Sequence, residues 1–227
     1  MNYKYYIIEI MFEYINLKLA KTKGSRKLRK LIKTLRKIFG EKDPGCLDFK
    51  FSKKPSRLFV VQSFIDKKKL NSYLEIGTFD DELFKHIKCK KKIGVDPFTG
   101  GTHRMTSDEF FYKNKDKFDC IFIDGLHHYN QVKKDINNSL KFINDGGIVL
   151  VHDCLPQNIE AQSVPRTTID WNGDVWKAFV EIRTNSNLNT YTCLADHGIG
   201  VILKGKNENP LNLNIKDYKK LKFLDYY

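Results

Sequence analysis

The chain has 227 residues, 41% of them hydrophobic and 13% aromatic, and a formal net charge of +13. This composition supports one large domain and excludes disorder throughout; the charge indicates either a solvated lysine-rich surface or attraction to anionic surfaces, nucleic acid or acidic glycans. Five scattered cysteines and the lack of a membrane-length apolar run argue against a disulfide framework, a zinc ribbon and a membrane span, so a reducing, cytoplasmic location is expected.

The N-terminal part differs from the rest of the sequence. Residues 25–40 place leucine and isoleucine at helical spacing between basic residues, which predicts a basic amphipathic helix. Such a helix would bind an anionic membrane surface or a protein partner, or pack on the main domain. Residues 41–56 read as a linker. We therefore predict a helical extension over 1–50 and one domain over 51–227.

Strand and helix patterns alternate beyond this linker. Apolar runs predict strands at 72–77, 91–96, 118–124 and 146–153. Amphipathic patterns predict helices at 58–70, 80–88, 106–114, 130–143 and 173–183. This alternation indicates an α/β fold with a doubly wound, mostly parallel sheet. Two further strands, 190–196 and 198–204, are joined so closely that a hairpin with an antiparallel last strand is expected.

Four of these strands end in polar residues. The ends are Glu75 with Gly77 and Thr78, Asp96, Asp124 with His127, and His152 with Asp153. Ligands of open parallel sheets bind beyond the carboxyl ends of the strands, so these side chains predict a binding site, although an aspartate can also simply cap a helix.

The turn after the first strand indicates the kind of cofactor. It holds a single glycine, Gly77, followed by the carboxylates of Asp80, Asp81 and Glu82. A pyrophosphate needs a glycine-rich turn and would be repelled here, whereas a sulfonium and an ammonium group would be attracted. Asp96 lies where an acid accepts ribose hydroxyls. Together these features favour S-adenosylmethionine over a nicotinamide dinucleotide.

These stretches also resemble a known family. "YLEIGTFDDELF", "IGVDPF", "TSDEFF", "FIDGLHHYNQVKKDI", "INDGGIVLVHDC" and "WNGDVWKAF" resemble the successive motifs of class I S-adenosylmethionine-dependent methyltransferases. The nearest branch includes sugar and small-molecule O-methyltransferases with a D-G-x-H-x-Y motif. The resemblance covers roughly residues 57–204 and implies a Rossmann-like, seven-stranded sheet with a reversed last strand.

The resemblance also implies roles for individual residues. The implied cofactor-binding residues are Glu75, Gly77, Thr78, Asp96, Ser107, Asp108 and Asp124. One departure is Asp81, which stands where the family usually has a second glycine, and it implies either a wider turn or a slightly displaced cofactor.

The chemistry of methyl transfer singles out Asp124, His127 and Asp153. The reaction is an in-line displacement in which the acceptor hydroxyl must lose a proton. His127 is a candidate base, with a pKa naturally near neutrality. Alternatively, Asp124 and Asp153 could hold Mg²⁺ with help from His152 and water, and the ion would acidify the hydroxyl. The sequence leaves both alternatives open.

The acceptor side of the site is less defined. Trp171 is a candidate for stacking on a sugar ring, and His152 is either an acceptor-binding residue or a core imidazole bonded to backbone. His128 is expected to face solvent. The predicted function is methyl transfer to a hydroxyl of a sugar, glycan or other small molecule. The alternatives are a methyltransferase acting on nucleic acid and a non-catalytic binding module.

Overall fold

A computed structural model describes residues 44–213 and 215–226, together with 27, 30, 31, 33, 34, 41 and 42. The strands are β1 (Ser72–Ile76), β2 (Lys91–Asp96), β3 (His103–Arg104), β4 (Phe118–Ile123), β5 (Ile143–Val151), β6 (Leu188–Cys193) and β7 (Ile199–Lys204). The α-helices of this part are α1 (Arg57–Lys68), α2 (Ser107–Lys113), α3 (Tyr129–Phe142) and α4 (Val175–Ile182). Short 3-10 helices lie at Phe51–Lys53, Tyr218–Lys220 and Phe223–Tyr226.

The seven strands form one sheet in the order β3-β2-β1-β4-β5-β7-β6. Strands β1 to β5 pair in parallel, whereas β7 runs antiparallel to both of its neighbours. The predicted doubly wound α/β sheet with a reversed last strand is therefore confirmed. The strand that the residue pattern did not predict is β3, where His103 and Arg104 pair with Val95 and Asp96. Two residues are too few to produce a readable alternation.

Both faces of the sheet are covered by side chains. Ile121 and Ile123 of β4 belong to a cluster on the side of α2, α3 and α4. Cys120 and Phe122 point the other way and join a second cluster with α1. Alternate residues of one apolar strand thus fill two cores, which is why β4 reads as a continuous apolar run. The polar residues Asp124 and Asp153 follow β4 and β5 at the carboxyl edge of the sheet.

The helix predicted at 80–88 is wrong, because turns occupy that segment. Asp81 adopts the left-handed conformation, with φ 64°, and its carboxylate accepts a hydrogen bond from the Gly101 N–H at 2.7 Å. Lys92 Nζ donates to backbone carbonyls at the end of the segment, including that of Phe84 at 2.7 Å. Side chains thus bond to the backbone of this segment, and Asp81 takes the conformation that glycine adopts most readily.

The remaining predictions differ in outcome. The capping box of α2 is present, with Thr106 and Glu109 bonded reciprocally. Five residues of the predicted helix 25–40 are described and are helical, and the rest lie outside the described residues. Lys33 pairs with Glu160 at 2.6 Å, so the extension touches the main domain. Among the described residues, no helix is long and apolar enough to cross a membrane.

Candidate active site

A cavity of about 540 Å³ opens at the carboxyl edge of β1, β2, β4 and β5. Ten of the eleven residues predicted from the sequence line it: Glu75, Gly77, Thr78, Asp96, Ser107, Asp124, His127, His152, Asp153 and Trp171. The exception is Asp108, whose carboxylate forms an ion pair with Lys134 at 2.5 Å and is not part of the lining. Asp108 Oδ1 also accepts a hydrogen bond from Gln131 Nε2 at 3.3 Å, and the same amide donates to the preceding Ser107, which does line the cavity.

Asp124 lies at the centre of a cluster of acids and imidazoles. Its Oδ1 atom lies 3.2 Å from His127 Nε2 and 3.2 Å from His152 Nδ1. Asp153 completes the cluster, with Oδ2 3.1 Å from His127 Nδ1 and Oδ1 3.4 Å from His152 Nδ1. Strands β4 and β5 are parallel neighbours, and Ile123 pairs with Val151. The residues that follow these two, among them Asp124 and Asp153, therefore lie close together.

His127 is held between acceptors on both sides. Nε2 faces Asp124, and Nδ1 faces both Asp153 and the backbone oxygen of Trp171 at 3.0 Å. Burial disfavours the charged imidazole, but Asp153 and Asp124 outweigh it and raise the pKa of His127. Acceptors at both ring nitrogens favour the imidazolium, which must lose a proton before it can act as a base.

His152 is a buried imidazole, but its partners are carboxylates and not backbone. Nδ1 faces Asp124 and Asp153, and Nε2 lies 3.5 Å from Asp196 Oδ1. Burial opposes its charge, yet Asp153 and Asp124 raise the pKa of His152 well above its usual value. In turn, the two imidazoles hold the pKa of Asp124 well below its usual range despite its burial.

The sequence reasoning missed Arg57 and Asp196. Arg57 Nη1 lies 3.1 Å from Asp124 Oδ2, and its backbone N–H donates to Asp196 at 2.8 Å. Despite partial burial, His152 and Arg57 lower the pKa of Asp196 to about 2. The available signals were weak: Arg57 follows the helix-capping Ser56, and Asp196 is one polar residue in a hairpin turn. Only tertiary packing brings them to the sheet edge.

The end of β1 approaches the end of β4 very closely. Gly77 has φ +86°, and a Cβ added there would lie 2.1 Å from the backbone oxygen of Asp124. Glu75 is buried, and its carboxyl accepts a hydrogen bond from the Tyr73 hydroxyl. Burial raises the pKa of Glu75 to about 8, with Asp124 adding to the rise. Thr78 Oγ1 is buried without a hydrogen-bond partner among the described residues and lies beside Gly100 and Gly101.

Asp96 is largely occupied by its own loop. Oδ2 accepts from the Phe79 N–H at 3.0 Å, and Oδ1 accepts from the N–H groups of Phe98 at 2.8 Å and Thr99 at 2.9 Å. A carboxylate has about four acceptor positions, so about one remains for a ligand hydroxyl.

Trp171 covers the cluster from the 155–172 segment. Its ring stacks on His127 with centroids 5.1 Å apart, and the Arg166 guanidinium lies 5.5 Å from the centre of the Trp171 ring. His128, expected in solvent, is half-buried and packs edge-on against Trp171. Trp176 lies in the core, where its Nε1–H donates to Gln162 Oε1 at 2.7 Å.

The lining of the cavity is acidic although the chain is strongly basic. Eight lining residues carry carboxyl groups: Glu75, Asp80, Glu82, Asp96, Asp124, Asp135, Asp153 and Asp170. Two lining residues are arginines, Arg57 and Arg166, and three are histidines, His127, His152 and His197, so carboxyl groups still outnumber the basic side chains. The excess positive charge of the chain therefore lies elsewhere, and the cavity favours cationic over polyanionic ligands.

The predicted metal ligands do come together. Asp124, His152 and Asp153 offer ligand atoms that all lie within 4.8 Å of one another. His152 Nδ1 lies 3.2 Å from Asp124 Oδ1 and 3.4 Å from Asp153 Oδ1. Two ligand atoms that bind one cation at about 2.1 Å lie about 3 Å apart, so these distances are close to those of a metal site. The donor set thus fits a divalent cation once His152 is neutral.

A family model matches the part of the chain that contains most of the site. Residues 73–154 match the family model described as a methyltransferase domain, which spans β1 to β5 and includes the Asp124 cluster. The seven-stranded sheet with its reversed last strand is the class I methyltransferase fold.

Individual proteins show the same fold. The S-adenosylhomocysteine-bound methyltransferase of Podospora anserina is 13% identical, with a TM-score of 0.50 over 68% of this chain and 81% of that chain. A Staphylococcus aureus structure provisionally named a caffeoyl-CoA O-methyltransferase is also 13% identical, with a TM-score of 0.51 over 88% of this chain and 100% of that chain. At these identities the likeness concerns the fold alone.

A curated relative comes from a virus. An uncharacterized protein of Acanthamoeba polyphaga mimivirus is 27% identical over 124 residues, which cover 41% of this chain and 56% of the relative. The present chain thus matches only about half of the length of that relative.

Proposed function

We propose that this chain is an S-adenosylmethionine-dependent O-methyltransferase. The observation that carries the proposal is the cluster of Asp124, His127 and Asp153, which opens into the same acidic cavity as Glu75 and Asp96. A sulfonium and an ammonium group suit this lining of carboxylates.

The chain's own residues would act on the acceptor hydroxyl. Arg57 and His152 fix the position of Asp124, which places its negative charge next to the reacting atoms. His127 accepts the hydroxyl proton after it has released its own, and Asp153 stabilises the imidazolium that forms again. Trp171 excludes water by covering His127.

A divalent cation is a second way for the same cluster to work. Asp124, Asp153 and His152 would hold it, and it would acidify and orient a bound hydroxyl. An imidazole ligand favours Mn²⁺ or another transition ion over Mg²⁺, which prefers oxygen.

The acceptor is proposed to be a small molecule, such as a sugar or glycan, that reaches the cluster beside the Trp171 ring, which itself contacts His127 and Arg166. A nucleic-acid acceptor is disfavoured because the carboxylates that line the cavity would repel phosphates.

Calorimetry and a transfer assay test the proposal. We expect S-adenosylmethionine to bind the full chain, and labelled methyl groups to reach at least one member of a panel of monosaccharides and glycolipids. Asp124→Asn and His127→Ala should abolish turnover, whereas Asp170→Asn, on the exposed rim of the cavity, should retain it. Chelation followed by added Mn²⁺ or Mg²⁺ separates the two modes of activation. Failure of S-adenosylmethionine to bind would sink the enzyme function.

A further inference from the structure

Asn172 is a buried asparagine beside the cluster that does not line the cavity. Its side chain is 1% exposed, and its Nδ2 atom lies 2.7 Å from Asp153 Oδ1. An ionised carboxylate only accepts hydrogen bonds, so the atom that faces it is the amide nitrogen, which donates. Of the polar contacts described for Asp153, this is the shortest, and the others are to imidazoles.

The backbone around Asn172 is anchored independently of its side chain. The N–H groups of Asn172 and Gly173 both donate to the Ala161 carbonyl, at 2.9 and 3.0 Å. The next N–H group, of Asp174, donates to the His127 carbonyl at 3.2 Å. Because the main chain already holds this segment against the loop after β4, the side-chain amide is left to act on the carboxylate that it faces.

Asp153 has an unusual backbone conformation just after β5. Its φ of 61° lies in the left-handed region, which a residue other than glycine adopts at a cost and only where surrounding contacts fix it. The Asn172 amide holds Oδ1 of this residue, while Oδ2 faces His127 Nδ1 at 3.1 Å. A rotation of the carboxyl group away from Asn172 would therefore also break its contact with the imidazole.

The residue before Asn172 acts on the imidazole itself. The backbone oxygen of Trp171 lies 3.0 Å from His127 Nδ1. A carbonyl oxygen can only accept, so Nδ1 carries a proton, and Nε2 is the nitrogen that is able to exchange one. Two consecutive residues thus hold both sides of one contact, since Trp171 holds His127 and Asn172 holds Asp153.

We propose that Asn172 is a positioning residue for methyl transfer. By holding Asp153 Oδ1 it keeps Oδ2 on the protonated side of the His127 ring, which leaves Nε2 to take the proton of the acceptor hydroxyl. This inference rests on the proposed function and deepens it, because it names a residue that serves the reaction without lining the cavity.

The test removes the donor and follows the kinetic constants separately. In Asn172→Ala we expect kcat to fall about 10- to 100-fold, as is usual when a residue that orients a reacting group is lost. The KM of the acceptor and the Kd of S-adenosylhomocysteine should change by less than about 3-fold, because Asn172 contacts neither ligand. Asn172→Asp keeps the shape of the side chain but places a second carboxylate against Asp153, and it should lower kcat at least as much.

Asn207 provides the matched control. It is 5% exposed, and its Nδ2 atom donates to the carbonyls of Arg183 and Asn185, each at 3.1 Å, outside the lining of the cavity. Asn207→Ala should lower the free energy of unfolding but leave kcat per folded molecule within about 3-fold of the wild type. An equal loss of kcat in Asn172→Ala and Asn207→Ala would show that Asn172 has a structural role only, which overturns the inference.

The remaining outcomes separate this inference from the proposed function. A kcat of Asn172→Ala close to that of the wild type would overturn the inference and leave the proposed function standing. If the wild type binds no S-adenosylmethionine, both fall together. A crystal structure of the wild type with S-adenosylhomocysteine needs no variant and remains decisive if Asn172→Ala and Asn172→Asp do not fold. The amide must then stay within hydrogen-bond distance of Asp153 Oδ1, and an amide turned away from it would overturn the inference.

Discussion

Glu75 is a carboxyl group that the fold keeps away from water at the end of β1. Its partner is the Tyr73 hydroxyl, and its pKa is raised to about 8 chiefly by burial. Above that pH the protein must hold a buried negative charge beside Asp124. The sequence predicted its location from the strand end, but the protonation state depends on packing from both faces of the sheet.

This burial predicts a pH dependence of stability. Since the folded pKa is about 8 and the ordinary value is 4.5, the native state binds more protons between these values, and the free energy of unfolding falls as pH rises through that window. Glu75→Gln has no titratable group at this position, so its free energy of unfolding should not show this decrease. We expect the variant to match the wild type near pH 5 and to exceed it by roughly 2–5 kcal/mol near pH 9.

Urea unfolding of both proteins at the two pH values measures this difference. The exposed Glu208→Gln is the control and should behave like the wild type at both. A difference between Glu75→Gln and wild type that does not change with pH would show that Glu75 titrates normally.

At the scale of elements, the site depends on how closely two strands converge. β1 and β4 pair through Ile76 and Ile123, and the chain then turns at Gly77 with its backbone against Asp124. The polar residues that follow the two strands come together because the Gly77 backbone lies directly against the Asp124 backbone. The turn after β1 therefore determines where the Asp124 carboxylate lies.

Gly77→Ala should separate the strand ends. The added Cβ meets backbone atoms of Asp124 and Gly125 within 2.6 Å, and backbone cannot move aside cheaply. Gly146 is a matched control, because it also has a positive φ, +73°, but has nothing within 4 Å of an added Cβ. We expect Gly146→Ala to cost about 1 kcal/mol, and Gly77→Ala to cost at least about 2 kcal/mol more and to lose cofactor binding.

Thermal or urea unfolding, with calorimetry of S-adenosylhomocysteine binding, distinguishes the two variants. Equal stability of the two would mean that the chain between β1 and β4 adjusts freely. In that case the position of Asp124 would not depend on the glycine.

For the whole molecule, the sequence was informative wherever a local pattern carried the signal. The strand ends predicted Asp124, His127 and Asp153, and the structure places them in contact. The helix at 80–88 failed because hydrogen bonds from distant residues, such as Lys92, override the local pattern. Arg57 was missed for a related reason, since its partners lie in other parts of the sequence.

Arg57 connects three separate parts of the fold. From the start of α1 it reaches Asp124 after β4 at 3.1 Å, Glu82 in the turn segment at 3.2 Å, and Asp196 between β6 and β7. Its guanidinium is largely shielded from solvent, and the surrounding carboxylates raise its pKa although burial opposes them. In the contacts described above, the other cations beside Asp124 and Asp196 are imidazoles. Removing the Arg57 charge would leave the two aspartates with these imidazoles alone.

Arg57→Met should therefore destabilise the protein more than the loss of a surface ion pair. Breaking a largely buried pair leaves an uncompensated charge, for which we expect a cost of about 2–4 kcal/mol. Lys91→Met is the control, because Lys91 pairs with Asp116 at 2.7 Å with both side chains about half exposed, and it should cost less than about 1 kcal/mol. Urea unfolding at low and high salt measures both, and the Arg57 effect should depend less on salt because buried pairs are screened less. Similar costs for the two variants would mean that Arg57 is a surface residue in energetic terms, and that the imidazoles alone hold Asp124 in place.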